Sequence, residues 1–142
     1  MGLYTVIKKH KKRCKESRIL ILGLDNAGKS TVVNKILCMS GANETDLEPV
    51  APTFGFAIKS IAYDEMNLNV WDVGGQKCLR PFWQNYFEST DGLIWVIDSS
   101  DVSRLADCQA ELFNLLKEEQ LQGILSMLSN RKQKIVHIKI YM

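Results

Sequence analysis

The chain has 142 residues, which suits one domain, and 46% of them are hydrophobic, enough to bury a core and to exclude a wholly disordered polypeptide. Its net charge is only +2, but residues 1–18 carry +6, residues 19–122 carry −8, and residues 123–142 hold four basic residues and no acid. An acidic body thus lies between two basic ends, a pattern that suits ends touching an anionic surface or simply solvated ends, and that gives no sign of nucleic-acid binding.

Four cysteines, Cys14, Cys38, Cys78 and Cys108, lie far apart without metal-ligand spacing, so zinc is not indicated and a reducing compartment is. The apolar stretch Leu3–Ile7 is too short for a signal peptide, and no apolar run approaches membrane-spanning length. A cytoplasmic protein is the expectation.

Residues 1–17 read as a basic N-terminal arm and residues 18–142 as the main domain. Leu3, Val6, Ile7 and His10 recur at helical spacing with Lys8, Lys9, Lys11 and Lys12 between them. Such a short amphipathic helix either touches a membrane surface or an effector, or packs on its own domain. Gly2 invites acylation, but that pattern wants Ser or Thr at position six, where Val6 stands.

The run Ile19-Leu20-Ile21-Leu22 predicts a buried strand, and Thr31 to about Met39 a helix. Between them, Gly23-Leu24-Asp25-Asn26-Ala27-Gly28-Lys29-Ser30 matches the phosphate-cradling pattern GxxxxGK[ST] at every fixed position. Glycines let backbone N–H groups close around phosphate oxygens, and the helix N-terminus adds partial positive charge. Lys29 reaches the β- and γ-phosphates, and the Ser30 hydroxyl is a ligand for Mg²⁺.

Ser40–Val50 is polar and acidic, hence a loop; Phe54–Ala62 and Leu68–Trp71 predict a hairpin, with Asp72 ending its second strand. In the first of these strands Phe54, Phe56 and Ile58 alternate, while Ile61 falls out of step. Leu93–Ile97 is a central strand, and Ser103–Leu121 a helix started by Asp101 or Ser103 and stopped by Gly123. Trp71, Trp83 and Trp95 read as packing residues, and Asp98 as a carboxylate bonded within its own loop. Strands and helices in this order predict a mostly parallel α/β sheet flanked by helices.

Two further segments carry chemistry. Asp72-Val73-Gly74-Gly75-Gln76 puts an acid at a strand end, where it holds Mg²⁺ through water opposite Ser30. Gly75 is expected to offer its N–H to a γ-phosphate, with Gly74 giving the loop freedom, and Gln76 to orient an attacking water. Thr53, in Pro52-Thr53 before the hairpin, adds a second hydroxyl to Mg²⁺ when a γ-phosphate is present. Loss of that phosphate would release both loops.

On these residues the chain resembles the Arf and Arf-like small GTPases. GLDNAGKS, PTFGF and WDVGGQKCLRPFWQNYFESTDGLIWVIDSSD carry the likeness, which extends to about residue 123. The run YFESTDGLIWVIDSSD, with DCQAEL and LKEEQLQG, looks most like the Arf-like-two subgroup. The resemblance implies a P-loop NTPase of Ras-like fold, a molecular switch that binds GTP or GDP with Mg²⁺ and hydrolyses GTP slowly. It implies Ser30 and Thr53 as metal ligands, Asp25 to Thr31 with Lys29 as phosphate holders, Gly75 as γ-phosphate sensor and Gln76 as the water-positioning residue. Its implied partners are effectors, an exchange factor and a GTPase-activating protein. The subgroup adds tubulin cofactors, carriers of lipidated proteins and association with microtubules.

The chain departs from the family in three places. Ser30 replaces the usual Thr; the segment Asn43–Glu48 lengthens the loop before Thr53; and the guanine-reading N-K-x-D has Asn130 but Lys134 near the place of its Asp. A lysine cannot accept the hydrogen bonds of guanine N1–H and N2–H₂. The strand before that motif is expected at Ile124–Ser129, and the family's last strand and helix are expected to be missing. That would leave apolar surface exposed and lower stability. The tail Lys134–Tyr141 is strand-like, and suits either a sheet edge or sequence unrelated to the family. A truncated, non-catalytic interaction module with weak guanine selectivity is the alternative expectation.

Overall fold

The computed structural model of the chain describes residues 15–43, 47, 49–63, 66–122 and 138–141. Its elements in order are β1 (Lys15–Leu22), α1 (Lys29–Met39), β2 (Phe56–Tyr63), β3 (Met66–Val73), a 3₁₀ segment (Arg80–Tyr86), β4 (Gly92–Asp98), α2 (Leu105–Leu116) and β5 (Ile138–Tyr141). The strands form one sheet in the order β2-β3-β1-β4-β5. Only β2 and β3 pair antiparallel; β1 pairs parallel with β3 and β4, and β4 with β5. The mostly parallel sheet expected from the sequence is therefore present.

β1 begins four residues before the apolar run and three inside the span assigned to the arm. Its pairing explains this. Lys15 to Arg18 pair with β3 alone, whereas β4 joins only from Ile19 onward. The singly paired half tolerates polar side chains, and the doubly paired half holds Leu20, Ile21 and Leu22, all fully buried.

Successive residues of β1 feed two cores. Ile21 packs with Val32 and Val33 of α1 and with Ile61, Val70 and Val96. Leu20 and Leu22 pack on the other face with Trp83, Phe87, Trp95, Cys108 and Leu115. The result is a three-layer stack, with α1 on one side and α2 and the 3₁₀ segment on the other. Trp83 and Trp95 meet edge to face at 5.7 Å, as their reading as packing residues anticipated.

β3 is longer than the expected Leu68–Trp71, and β2 begins two residues after the expected Phe54. Ile61 points into the core, whereas Phe54, Phe56 and Ile58, the alternating set, are exposed. Phe56 stacks on Trp71 at 5.2 Å and leans on Tyr86, which shields part of that outer apolar face.

α2 is shorter than the predicted Ser103–Leu121. A 3₁₀ turn over Val102–Arg104 precedes it, and residues 119–122 turn helical again, with Leu121 buried. Neither Asp101 nor Ser103 caps it: the Asp101 carboxylate accepts from Ser103 Oγ at 2.9 Å and from Arg104 Nε at 2.6 Å. Asp98 bonds within its own loop, accepting from Ser100 N–H and Oγ–H.

Of the two readings of the tail, the sheet edge describes Ile138–Tyr141, which pair along Trp95–Asp98. The expectations for residues 1–14, the strand Ile124–Ser129, Gly123 and Asn130–Lys134 lie outside the described residues. Among the described residues no helix is long and apolar enough to cross a membrane.

Candidate functional site

The buried end of β1 delivers the chain into the loop Gly23–Gly28, at the C-terminal edge of the sheet. Gly28 precedes α1 at φ +88°, a left-handed conformation that favours glycine, and no side chain caps the helix. The first amides of α1 are thus free of intrahelical partners, an arrangement that suits an anion.

Lys29 is 7% exposed and donates from Nζ to the carbonyls of Gly23 at 3.1 Å and Leu24 at 2.7 Å. Burial pulls its ammonium down to about 8, against the attraction of Asp72 and Asp25.

Asp72 sits inside β3, one residue before its end, and is 3% exposed. Its Oδ2 accepts from Ser30 Oγ at 2.5 Å, and Thr53 Oγ1 stands 3.2 Å from Ser30 Oγ and 3.5 Å from Asp72 Oδ2. Its Oδ1 is buried without a hydrogen-bond partner. Burial raises the Asp72 carboxyl above its ordinary range, although Ser30, Lys29 and Thr53 favour the charged form. Three hard oxygen donors from three segments therefore meet, and one carboxylate oxygen retains its full accepting capacity. That donor set fits a small divalent cation such as Mg²⁺, which keeps waters and phosphate oxygens as its remaining ligands. Among the described residues no cluster of three or more His, Cys, Asp or Glu offers a rival metal site.

A cleft of about 240 Å³ opens beside these groups. Asp25, Asn26, Gly28, Lys29, Ser30, Thr31, Thr53, Gly75 and Gln76 all line it, as do Val50 to Pro52, which sequence reasoning did not single out as contacts. Asp72 lines an adjoining groove with Ser30 and Thr53. Leu24 and Ala27, placed among the phosphate-loop residues by the motif, turn their side chains into the two cores, so only their backbone is available to the cleft.

Gly75 closes on the phosphate loop. Its carbonyl accepts from Asp25 N–H at 3.2 Å, and a Cβ on it would run into the backbone of Gly23, Leu24 and Asp25. Gly74, expected to lend freedom, is packed as well: a Cβ there would lie 2.6 Å from the Thr53 carbonyl oxygen. Trp83 Nε1 donates to the Gly74 carbonyl at 2.9 Å.

Two arginines converge on Asp25. Arg104 Nη1 lies 3.0 Å and Arg80 Nη2 3.6 Å from Asp25 Oδ1. Both also face other carboxylates, Arg80 those of Asp107 and Glu111 and Arg104 that of Asp101.

A strand, a phosphate loop and a helix, faced by a Thr-bearing loop and an Asp-Val-Gly-Gly-Gln segment on a hairpin, define the small GTPase class. The chain belongs to the ADP-ribosylation factor family, whose sequence profile matches residues 3–139. The match runs past residue 123, through the stretch where the motif-by-motif resemblance fades. ADP-ribosylation factor-like protein 2 of Arabidopsis thaliana is 55% identical over 135 residues, which is 95% of this chain and 70% of that protein. Its namesake in Drosophila melanogaster is 48% identical over the same spans. Among solved structures, the Arl6 BBS3 small GTPase of Trypanosoma brucei with bound nucleotide analogue GppNp superposes with a TM-score of 0.66 at 29% identity, over 76% of this chain and 58% of that one. The chain thus spans less than two thirds of that structure. Family membership carries with it the class of GTP-binding switches.

Proposed function

We propose that the chain is a Mg²⁺-dependent guanine-nucleotide switch that hydrolyses GTP slowly. The observation that carries this reading is the meeting of Ser30 and Thr53 at Oδ2 of Asp72, whose other carboxylate oxygen is buried without a partner, beside a phosphate-sized cleft. Ser30 and Thr53 would hold the metal directly and Asp72 through water. Bound there, Mg²⁺ would offset phosphate charge and polarise the terminal phosphoryl group.

The residues of the chain do the rest. The amides from Asn26 to Thr31 bind phosphate oxygens, the Asp25 N–H being held by the Gly75 carbonyl, and Lys29 exchanges its two carbonyl partners for the β- and γ-phosphates, whose charge offsets its burial. Gly75 contacts the γ-phosphate through its N–H. Gln76, half-buried at the rim of the cleft, accepts from and orients the attacking water. Thr53 and Gly75 flank the two strands of one hairpin, so loss of the γ-phosphate loosens both ends together.

The outer face of that hairpin, with Phe54 84% exposed and Phe56 stacked on Trp71, supplies an apolar surface for an effector that reads the nucleotide state. The likeness to Arf-like-two proteins supports a cytoplasmic role with tubulin cofactors or carriers of lipidated proteins.

Equilibrium titration of the purified chain with GTP, GDP and ATP, with and without Mg²⁺, tests the reading. Guanine preference that tightens with Mg²⁺ is expected. Equal affinity for ATP, or none for any nucleotide, would refute it.

A further inference from the structure

We propose that Arg80 is a positioning residue that sets the preference for nucleoside triphosphate over diphosphate, by pinning the Gly75 peptide to the phosphate loop and to α2. The inference rests on the nucleotide-switch reading and adds to it a residue outside the motifs.

Arg80 opens the 3₁₀ segment, and its side chain is 6% exposed. Each of its nitrogens serves a different part of the fold. Nε donates to the Gly75 carbonyl at 3.1 Å. Nη1 donates to Asp107 Oδ2 at 2.9 Å and Glu111 Oε1 at 3.1 Å, one turn apart on α2. Nη2 faces Asp25 Oδ1 of the phosphate loop at 3.6 Å. A lysine has a single nitrogen and cannot span three such partners, so the fork geometry of the guanidinium is what the site uses.

The grip is on the peptides that carry the Gly75 amide. Trp83, three residues after Arg80, holds the Gly74 carbonyl. In a trans peptide the N–H of the next residue points opposite to that carbonyl, so Trp83 fixes the direction of the Gly75 N–H. Arg80 and Asp25 N–H hold the following carbonyl, that of Gly75 itself. The two peptide planes that flank Gly75 are thereby set by one short segment. A γ-phosphate contact made by a preset amide costs little ordering, whereas one made by a loose loop costs more. A diphosphate makes no such contact, so the grip acts on the triphosphate alone.

The test measures affinities of the full chain for fluorescent GDP and for a non-hydrolysable GTP analogue in Mg²⁺, for wild type, R80K and the double variant D107N/E111Q. The triphosphate-to-diphosphate affinity ratio is expected to fall about tenfold in R80K and by a smaller factor in D107N/E111Q, with GDP affinity held within about threefold. A merely structural role would weaken both nucleotides alike. Should R80K not fold, the double variant, whose substitutions sit at the solvent-facing end of the bridge, carries the test by itself. A ratio unchanged from wild type in either folded variant overturns the inference and leaves the switch reading standing. Failure of wild type to bind guanine nucleotide overturns both.

Discussion

Replacing Gly75 by alanine tests the close approach of its segment to the phosphate loop. The added methyl group would enter the backbone of Gly23, Leu24 and Asp25, where no flexible side chain can move aside. The two loops must part, and the Gly75 carbonyl then loses the Asp25 N–H and the Arg80 Nε, at about 1 kcal/mol each. Overpacking adds about 1–3 kcal/mol, and the stiffer unfolded chain returns about 0.5–1 kcal/mol. The net cost is about 2–4 kcal/mol. Gly28 provides the contrast: a Cβ there meets nothing, so G28A suffers only the left-handed backbone, about 1 kcal/mol. Urea unfolding followed by the fluorescence of buried Trp83 and Trp95 reads both. With a slope of about 2 kcal/mol/M, the G75A midpoint should fall by roughly 1–2 M. A G75A midpoint within about 0.3 M of wild type, or a larger loss in G28A, would mean that the loops do not meet as described.

Three other outcomes are expected. Q76L should slow single-turnover phosphate release by about a hundredfold while leaving nucleotide affinity within a factor of a few, because in the proposed mechanism Gln76 acts on water and not on phosphate. Chelation of Mg²⁺ should speed release of bound GDP by tenfold or more in wild type, and D72N, which removes the carboxylate proposed to hold the metal through water, should release GDP nearly as fast with Mg²⁺ as without it, as stopped-flow fluorescence would record. W83F should lose about 1–3 kcal/mol of stability, since it leaves the buried Gly74 carbonyl without its indole donor; equilibrium denaturation at matched pH measures this.

The phosphate loop was legible because its logic is local. An apolar run, a fixed glycine–lysine–serine spacing and a following helix lie within 21 residues, and backbone chemistry alone explains them. The meeting of Ser30, Thr53 and Asp72 was legible only as a motif inference, since it joins positions 23 and 42 residues apart. The facing of β2 was not legible, because periodicity reports alternation and not which side is covered. Phe56 sits on the outer face with an aromatic neighbour for company, while a lone Ile61 supplies the core. The start of α2 was misplaced because Asp101 spends its carboxylate on Arg104 and Ser103 instead of on helix amides. The arginine convergence on Asp25 left no sequence trace: Arg104 reaches across 79 positions, and arginines so far apart look like ordinary surface charge.

The two halves of the cleft hang from strands of unequal protection. The phosphate loop continues β1, which has a neighbour on each side, whereas Thr53 leads into β2, an edge strand among the described residues. Amide hydrogens of Leu20 to Leu22 should therefore exchange only through global unfolding, and those of β2 that point away from β3 through cheap local opening. Any substitution that erodes overall stability will populate the frayed edge first. On the proposed switch reading, the molecule would then keep its grip on a bound phosphate chain while losing its ability to register how long that chain is.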